Sequence, residues 1–196
     1  MSKYELYAID VETTNLDPII GDIIELSIIR MSTDEQRTYF IRPLNIAGID
    51  VGALKVNGHK MEDLKMETKF GRETYQEPSK VIIEVENWLS EDDKPASGRI
   101  CVGQNVQFDH SFMKSMWKKL NASDSFPFGR RLLDTMQNAF ILDLIEGKEE
   151  ESYSLGNLIK KYGIKNIKAH SAAADTRATK QLFEAQIKDL KNRMGK

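Results

Sequence analysis

The sequence predicts an α/β fold: a mixed five-stranded sheet that begins with three antiparallel strands and is flanked by helices. Two observations predict it. Three alternating or Ile-rich segments follow one another closely at the start of the chain, and such short connections favour an antiparallel meander over parallel pairs. Beyond residue 78, segments with helical spacing alternate with short apolar runs, which is typical of strands joined through helices.

The five predicted strands share β-branched or alternating apolar residues and are bounded by turn residues. They occupy residues 4–16, 22–31, 36–43, 99–105 and 131–135. The fourth is apolar throughout, which suits a buried parallel strand.

The predicted helices have apolar residues three or four positions apart. The first begins at Ser79 as N-cap, and the second covers residues 108–120. The third runs from the fifth strand through residue 145, and the last two cover residues 154–163 and 171–193. For residues 44–78 we predict loops with short helices around residues 51–56 and 60–66. We expect a single domain over residues 1–196, since no repeat or composition break divides the chain.

Charge and cysteine content narrow the classes of function. The 28 basic and 30 acidic residues give a net charge of -2, which argues against holding nucleic acid by bulk attraction. Nucleic acid as a substrate stays open, because cations in an acidic site would meet phosphates locally. Cys101 is the only cysteine and is predicted to be a core residue in a reducing compartment.

No apolar run approaches the roughly 20 residues needed to cross a bilayer. The first residues enter a strand without a charged and then apolar leader. We therefore expect no membrane partner and a cytoplasmic location.

Two carboxylates stand on one face of the first strand. Strand alternation places Asp10 and Glu12 in a row with Leu6 and Ala8, opposite Tyr7, Ile9 and Val11. Buried carboxylates are costly unless they are paired or bind a metal. The alternative is a frayed strand end whose acids are solvated.

Two helices each direct a further acid inward. Asp109 shares a face with Phe112, Met113 and Met116, although an acid in a first helical turn is also favoured by the helix dipole. Asp175 shares its phase with the apolar side of the last helix. His170 would reach the same site from the preceding loop, or would serve as a cap or core residue.

Together the four acids predict one acidic centre. Four converging carboxylates repel one another without compensation, and hard divalent cations such as Mg²⁺ or Mn²⁺ prefer oxygen ligands. Zinc is less favoured, because the sequence has no cysteine cluster.

Three motifs in order resemble the DEDDh family of 3′→5′ exonucleases, which includes a bacterial polymerase proofreading subunit, ribonuclease T and oligoribonuclease. The pattern D-x-E-T-T is similar to residues 10–14, N-x-x-F-D to residues 105–109, and H-x-A-x-x-D to residues 170–175. The resemblance covers nearly the whole chain and implies an RNase H-like fold.

The resemblance also implies a mechanism. Asp10, Glu12, Asp109 and Asp175 would hold two divalent cations about 3.5–4 Å apart, and His170, with an ordinary pKa of about 6.5, would be the general base. Nucleoside 5′-monophosphates would be released from a 3′ end.

The same resemblance implies that five residues contact or orient the terminal nucleotide. They are Thr13, Thr14, Leu16, Asn105 and Phe108. Turn formation and core packing are the alternatives for these side chains, and Asn105 is expected to orient the site rather than bind metal.

The chain departs from the family pattern at two places. Asn15 stands where many relatives have Gly, and we expect the turn to survive because Asn tolerates the left-handed conformation. Residues 57–60 match the family poorly, which puts substrate contacts from that loop in doubt. His110 follows the second motif, but its phase on the helix favours His170 as the base.

The sequence therefore predicts a metal-dependent 3′→5′ exonuclease acting on single-stranded DNA or RNA ends. Two alternatives remain: a proofreading or accessory subunit that acts with a polymerase, and a catalytically idle nucleic-acid-binding module. A homodimer and a polymerase partner are both open at this point.

Overall fold

A computed structural model describes residues 2–165 and 171–195. Its strands are β1 Glu5–Thr13, β2 Ile23–Arg30, β3 Glu35–Phe40, β4 Arg99–Gly103 and β5 Leu132–Asp134. They form one sheet in the order β3-β2-β1-β4-β5. β2 pairs antiparallel with both β1 and β3, whereas β4 runs parallel to β1 and β5 parallel to β4. The predicted mixed sheet is confirmed.

The pairing of β1 is uneven along its length. β4 pairs with β1 only from Glu5 to Ala8, whereas β2 follows β1 as far as Thr13. The second half of β1 therefore has a backbone edge that β4 leaves uncovered. This edge is where the candidate site forms.

The helices agree with the sequence prediction in type and approximate position, except for α3, which was not predicted. They are α1 Val51–Asn57, α2 Met61–Leu64, α3 Lys69–Thr74, α4 Pro78–Ser90, α5 Val106–Lys119, α6 Thr135–Glu146, α7 Leu155–Lys161 and α8 Ala172–Met194. The predicted N-cap at Ser79 is wrong: Glu77 is the N-cap, and Pro78 occupies the first turn, where its fixed φ suits a helix start.

The sheet separates two layers. Tyr7, Ile9 and Val11 pack with α4 and α5 in the main core, while α8 packs against β1 and β2. At the start of α8, the Ala173 N–H donates to a Glu25 oxygen. The alternating row of β1 that carries Asp10 and Glu12 thus faces α8.

Cys101 is fully buried in the main core, which confirms its predicted place. Within residues 2–165 and 171–195, no helix has both the length and the hydropathy needed to cross a bilayer.

Candidate active site

Three acids converge at the uncovered edge of β1. One carboxylate oxygen from each of Asp10, Glu12 and Asp175 lies within 4.8 Å of the others. β1 supplies the first two because alternate residues share a strand face. The first turn of α8 supplies Asp175, so its predicted inward direction is confirmed.

Asp109 is held against β1 by the backbone. Its Oδ1 accepts a hydrogen bond of 3.0 Å from the Val11 N–H, a donor that β4 does not reach. The side chain is 4% exposed, and its negative charge contributes to raising the pKa of Asp10. Asp109 therefore belongs to the same acidic centre.

Asp134 fixes where α5 begins. Its carboxylate accepts hydrogen bonds of 3.1 Å from the Asn105 and Val106 N–H groups, and it also caps α6 through the Met136 N–H at 2.9 Å. Asn105 has the left-handed conformation, with φ 56°, which Asn tolerates better than most residues. The backbone at Asn105 thus sets the start of α5 and the position of Asp109.

The centre is electrostatically unfavourable without a counter-charge. Burial first, and then the charges of Asp109 and Glu12, raise the pKa of Asp10 well above its usual range. Burial, Glu25 and Asp175 raise the pKa of Glu12 to about 7. Burial raises the pKa of Asp109 to about 8, against the hydrogen bond from Val11.

The donor set fits hard divalent cations. Among the described residues every converging ligand is a carboxylate oxygen, and Mg²⁺ and Mn²⁺ prefer oxygen ligands. A cation among these oxygens would offset the repulsion that raises their pKa values. The cluster of Asp10, Glu12 and Asp175 is therefore suited to holding such an ion.

The sequence prediction missed Glu25. It lies directly opposite Glu12 in the β1–β2 pair, and its side chain is 4% exposed. Its Oε1 accepts hydrogen bonds of 3.3 Å from the Ala173 N–H and the Ser171 hydroxyl. Glu25 thus joins β2 to the start of the helix that carries Asp175.

A histidine connects this glutamate to the small helices. His59 Nε2 lies 3.5 Å from Glu25 Oε2, and its Nδ1 lies 2.5 Å from the Tyr75 hydroxyl. The Asn57 amide donates to the Thr13 carbonyl at 3.0 Å. Residues 57–60, which match the family poorly, therefore contact the framework of the acidic centre.

The turn after β1 is held by hydrogen bonds rather than by a left-handed residue. Asn15 does not have a positive φ, so the turn does not use the left-handed conformation that Asn tolerates. Its side chain accepts from the Asp17 N–H at 3.1 Å and donates to the Gly48 carbonyl at 3.2 Å. The Asn15 amide thus orders the turn without a glycine and joins it to the segment around Gly48.

The predicted nucleotide contacts fall into two groups. The hydroxyl of Thr13 donates to the Asn15 carbonyl, and that of Thr14, which is 0% exposed, accepts from the Asp22 N–H at 2.9 Å. Leu16 is 78% exposed, and Phe108 is half-buried against Phe112. Leu16 and Phe108 are free to meet a base, whereas the threonine hydroxyls already hold the turn together.

Of the two histidines considered as general base, only His110 lies among the residues that the structure describes. His110 is buried, with Nε2 3.1 Å from the Gly129 carbonyl and its ring against Phe126. Burial lowers its pKa. His170 lies outside the described residues, and its role as general base stays a prediction.

Comparisons with known proteins agree on one family. A protein-family model for exonucleases of the ribonuclease T type matches residues 7–183. The chain is 28% identical to ribonuclease T of Haemophilus ducreyi over 203 residues, covering 94% of this chain and 85% of that one.

Longer proteins also match. The PolC-type DNA polymerase III of Thermotoga petrophila is 27% identical over 187 residues, which cover 93% of this chain. The match spans only 12% of that polymerase.

Solved structures share the fold. A zinc-bound complex of Escherichia coli exonuclease I with single-stranded DNA superposes with a TM-score of 0.75 at 19% identity, over 98% of this chain and 42% of that one. Cell-death related nuclease 4 gives a TM-score of 0.72 at 16% identity, over 94% and 64%. The RNase H-like fold implied by the motifs is thereby confirmed.

Proposed function

The chain belongs to the exonuclease family of ribonuclease T, and from that membership we propose that it is a metal-dependent 3′→5′ exonuclease of single-stranded DNA or RNA. It would hydrolyse phosphodiester bonds from the 3′ end and release nucleoside 5′-monophosphates. A cytoplasmic location and a single domain over residues 1–196 remain predictions.

The convergence of the acids carries the proposal. Asp10, Glu12 and Asp175 come from two distant parts of the chain, yet their oxygens lie within 4.8 Å of one another. Burying like charges together is costly for folding. A protein that only bound nucleic acid would have no use for such a centre.

In the proposed reaction, Asp10, Glu12, Asp109 and Asp175 would hold two divalent cations. When bound, the cations would acidify the attacking water and neutralise negative charge on the phosphate. The carboxylates position the reaction at the end of β1. His170, from the loop before α8, would accept the proton of the attacking water as neutral imidazole.

The surroundings of the acids supply a place for the last nucleotide. Leu16 and Phe108 are the apolar side chains proposed to contact its base, because stacking and apolar contact tolerate any sequence. Thr13, Thr14 and Asn105 are proposed to contribute through the backbone they shape.

The polymerases among the relatives favour a second biological setting, in which the protein acts with a polymerase. The PolC-type enzymes contain a segment similar to nearly the whole of this chain, so proofreading with a polymerase partner is the alternative biological role. The chemistry proposed for the site is the same in both settings. A homodimer stays open as a prediction.

The direct test uses 5′-labelled single-stranded DNA and RNA of equal sequence with Mg²⁺ or Mn²⁺. We expect stepwise shortening by the wild type, none with EDTA, and none by Asp10→Ala or His170→Ala. The relative rates on the two oligonucleotides would identify the preferred substrate.

A matched control separates chemistry from folding. Glu149→Ala removes an exposed acid far along the chain and should keep full activity. If the wild type binds both oligonucleotides but shortens neither of them with either metal, the protein is an idle binding module and not an exonuclease. Cleavage within the oligonucleotide, rather than stepwise shortening from its 3′ end, would also contradict the proposal.

A further inference from the structure

A groove lies between the turn after β1 and the outer face of α5. It encloses about 460 Å³, and Pro18 and Ile19 form one wall. Ser111, Lys114, Lys118 and Phe126 are among the residues on the other side. None of these residues belongs to the proposed catalytic set.

The groove carries positive charge that no acid in the described part of the chain neutralises. Lys114 and Lys118 are exposed and one helical turn apart, and neither forms an ion pair with another described residue. Lys119, by contrast, is bonded to the Gly21 carbonyl at 2.5 Å and to Asp22 at 2.8 Å. Two cations are therefore available in a chain whose net charge is -2.

Apolar side chains stand beside these cations. Ile19 is 81% exposed, and Phe126 is partly exposed on the opposite wall. A surface that combines spaced ammonium groups with exposed apolar groups suits a single strand, which offers both phosphates and unstacked bases.

The groove lies along the helix that carries Asp109. α5 carries Asp109 in its first turn, and Lys114 and Lys118 follow about 7.5 and 13.5 Å further along its axis. On the other wall, Pro18 comes two residues after Leu16, and the Ser115 hydroxyl donates to the Pro18 carbonyl. The turn and the helix are therefore joined to each other along the groove.

We propose that this groove binds the substrate strand on the 5′ side of its terminal nucleotide. Lys114 and Lys118 contact successive phosphates, and Ile19 and Phe126 contact bases. The inference rests on the proposed exonuclease function, since it assigns a path to the same substrate. It predicts that affinity rises with oligonucleotide length until the groove is filled.

The test compares Lys114→Ala/Lys118→Ala with Lys188→Ala/Lys191→Ala, which removes two exposed charges from the far end of α8. The substrates are a dinucleotide and a 12-nucleotide single strand. For the groove variant we expect the KM of the 12-mer to rise about three- to tenfold. Its kcat, and both constants for the dinucleotide, should change less than twofold.

A binding measurement makes the test independent of catalysis. Fluorescence anisotropy of the labelled 12-mer in EDTA gives the slope of log Kd against log salt concentration. Loss of two phosphate contacts should reduce that slope by about 1.4, at about 0.7 per contact for single strands. The control variant should keep the wild-type slope.

The outcomes separate the two proposals. If the wild type shortens oligonucleotides but the groove variant matches the control in KM and salt slope, the groove is not the strand path. An equal KM change for dinucleotide and 12-mer would overturn it as well. If the wild type shortens nothing, the exonuclease proposal fails, and the anisotropy slope alone decides the groove.

Discussion

Asp10 stands at the point of greatest repulsion in the acidic centre, because its pKa is raised by burial and by three neighbouring acids besides Glu25. We expect Asp10→Asn to lower kcat by about 10³-fold, since one charged group that stabilises the transition state is lost. The same change should raise the Tm of the metal-free protein at pH 8 by roughly 2–4 °C, or about 1 kcal/mol.

Activity assays and thermal unfolding in EDTA measure the two effects. Glu149→Gln is the matched control, because it neutralises an exposed acid and should change neither quantity. A drop in Tm for Asp10→Asn would show that the carboxylate stabilises the fold, contrary to this expectation.

Leu16 offers a second test at the scale of one residue. It is 78% exposed, so Leu16→Ala should change the free energy of unfolding by less than about 0.5 kcal/mol. Loss of an apolar contact with a base should lower kcat/KM about tenfold. Ile141→Ala removes a similarly exposed side chain from α6 and serves as control; equal effects of both variants would count against a contact at Leu16.

At the scale of elements, Glu25 joins β2, the small helices and α8. Glu25→Ala should lower kcat about 10- to 100-fold, because a displacement near 1 Å at the start of α8 moves Asp175. Glu25→Gln keeps an oxygen that can accept from the Ala173 N–H, so it should retain more activity than Glu25→Ala.

The Mg²⁺ concentration for half-maximal activity separates positioning from simple loss of stability. It should rise for Glu25→Ala and recover partly for Glu25→Gln. Glu35→Ala, which removes an acid near the surface of β3, is the control. Equal kcat and Mg²⁺ dependence in all three variants would show that the link has no effect on the centre.

The sheet and its long helices could be predicted because their patterns are local. β1 alternates, and α5 and α8 repeat apolar residues on one face. α3 was not anticipated as a separate helix, because it has six residues and a single buried one, Gly71. The short helices between residues 44 and 78 take their stability from tertiary contacts such as that of His59 with Tyr75.

The acids of the centre could be predicted from motifs, but Glu25 could not. All eight residues of β2 are buried, so the strand shows no alternation that would mark one side chain. The partners of Glu25 lie 34 residues away at His59 and 148 residues away at Ala173. Only the folded chain brings these groups together.

For the whole molecule, the raised pKa values predict how stability changes with pH. Glu12 at about 7 and Asp109 at about 8 hold protons more tightly in the folded state than in the unfolded one. The stabilisation is full below the unfolded pKa of about 4 and is lost as pH rises from there through 7 to 8. We expect the metal-free protein to lose on the order of 4 kcal/mol between pH 6 and pH 9.

Chemical denaturation in EDTA across this range measures the effect. Adding Mg²⁺ should stabilise the protein more at pH 9 than at pH 6, because protons and cations compete for the same oxygens. Glu12→Gln should flatten the pH dependence of the free energy of unfolding, and the flattening should persist whether or not EDTA is present. A metal-free protein that becomes more stable as pH rises would refute the assignment.

The uncovered edge of β1 also provides a built-in reporter. The Val11 N–H donates to Asp109 and to no strand, so its nitrogen and proton resonances should follow the ionisation and ligation of that carboxylate. In a ¹⁵N-labelled sample, one backbone signal would titrate with protons and again with divalent cations. The state of the centre could then be followed by spectroscopy without a substrate.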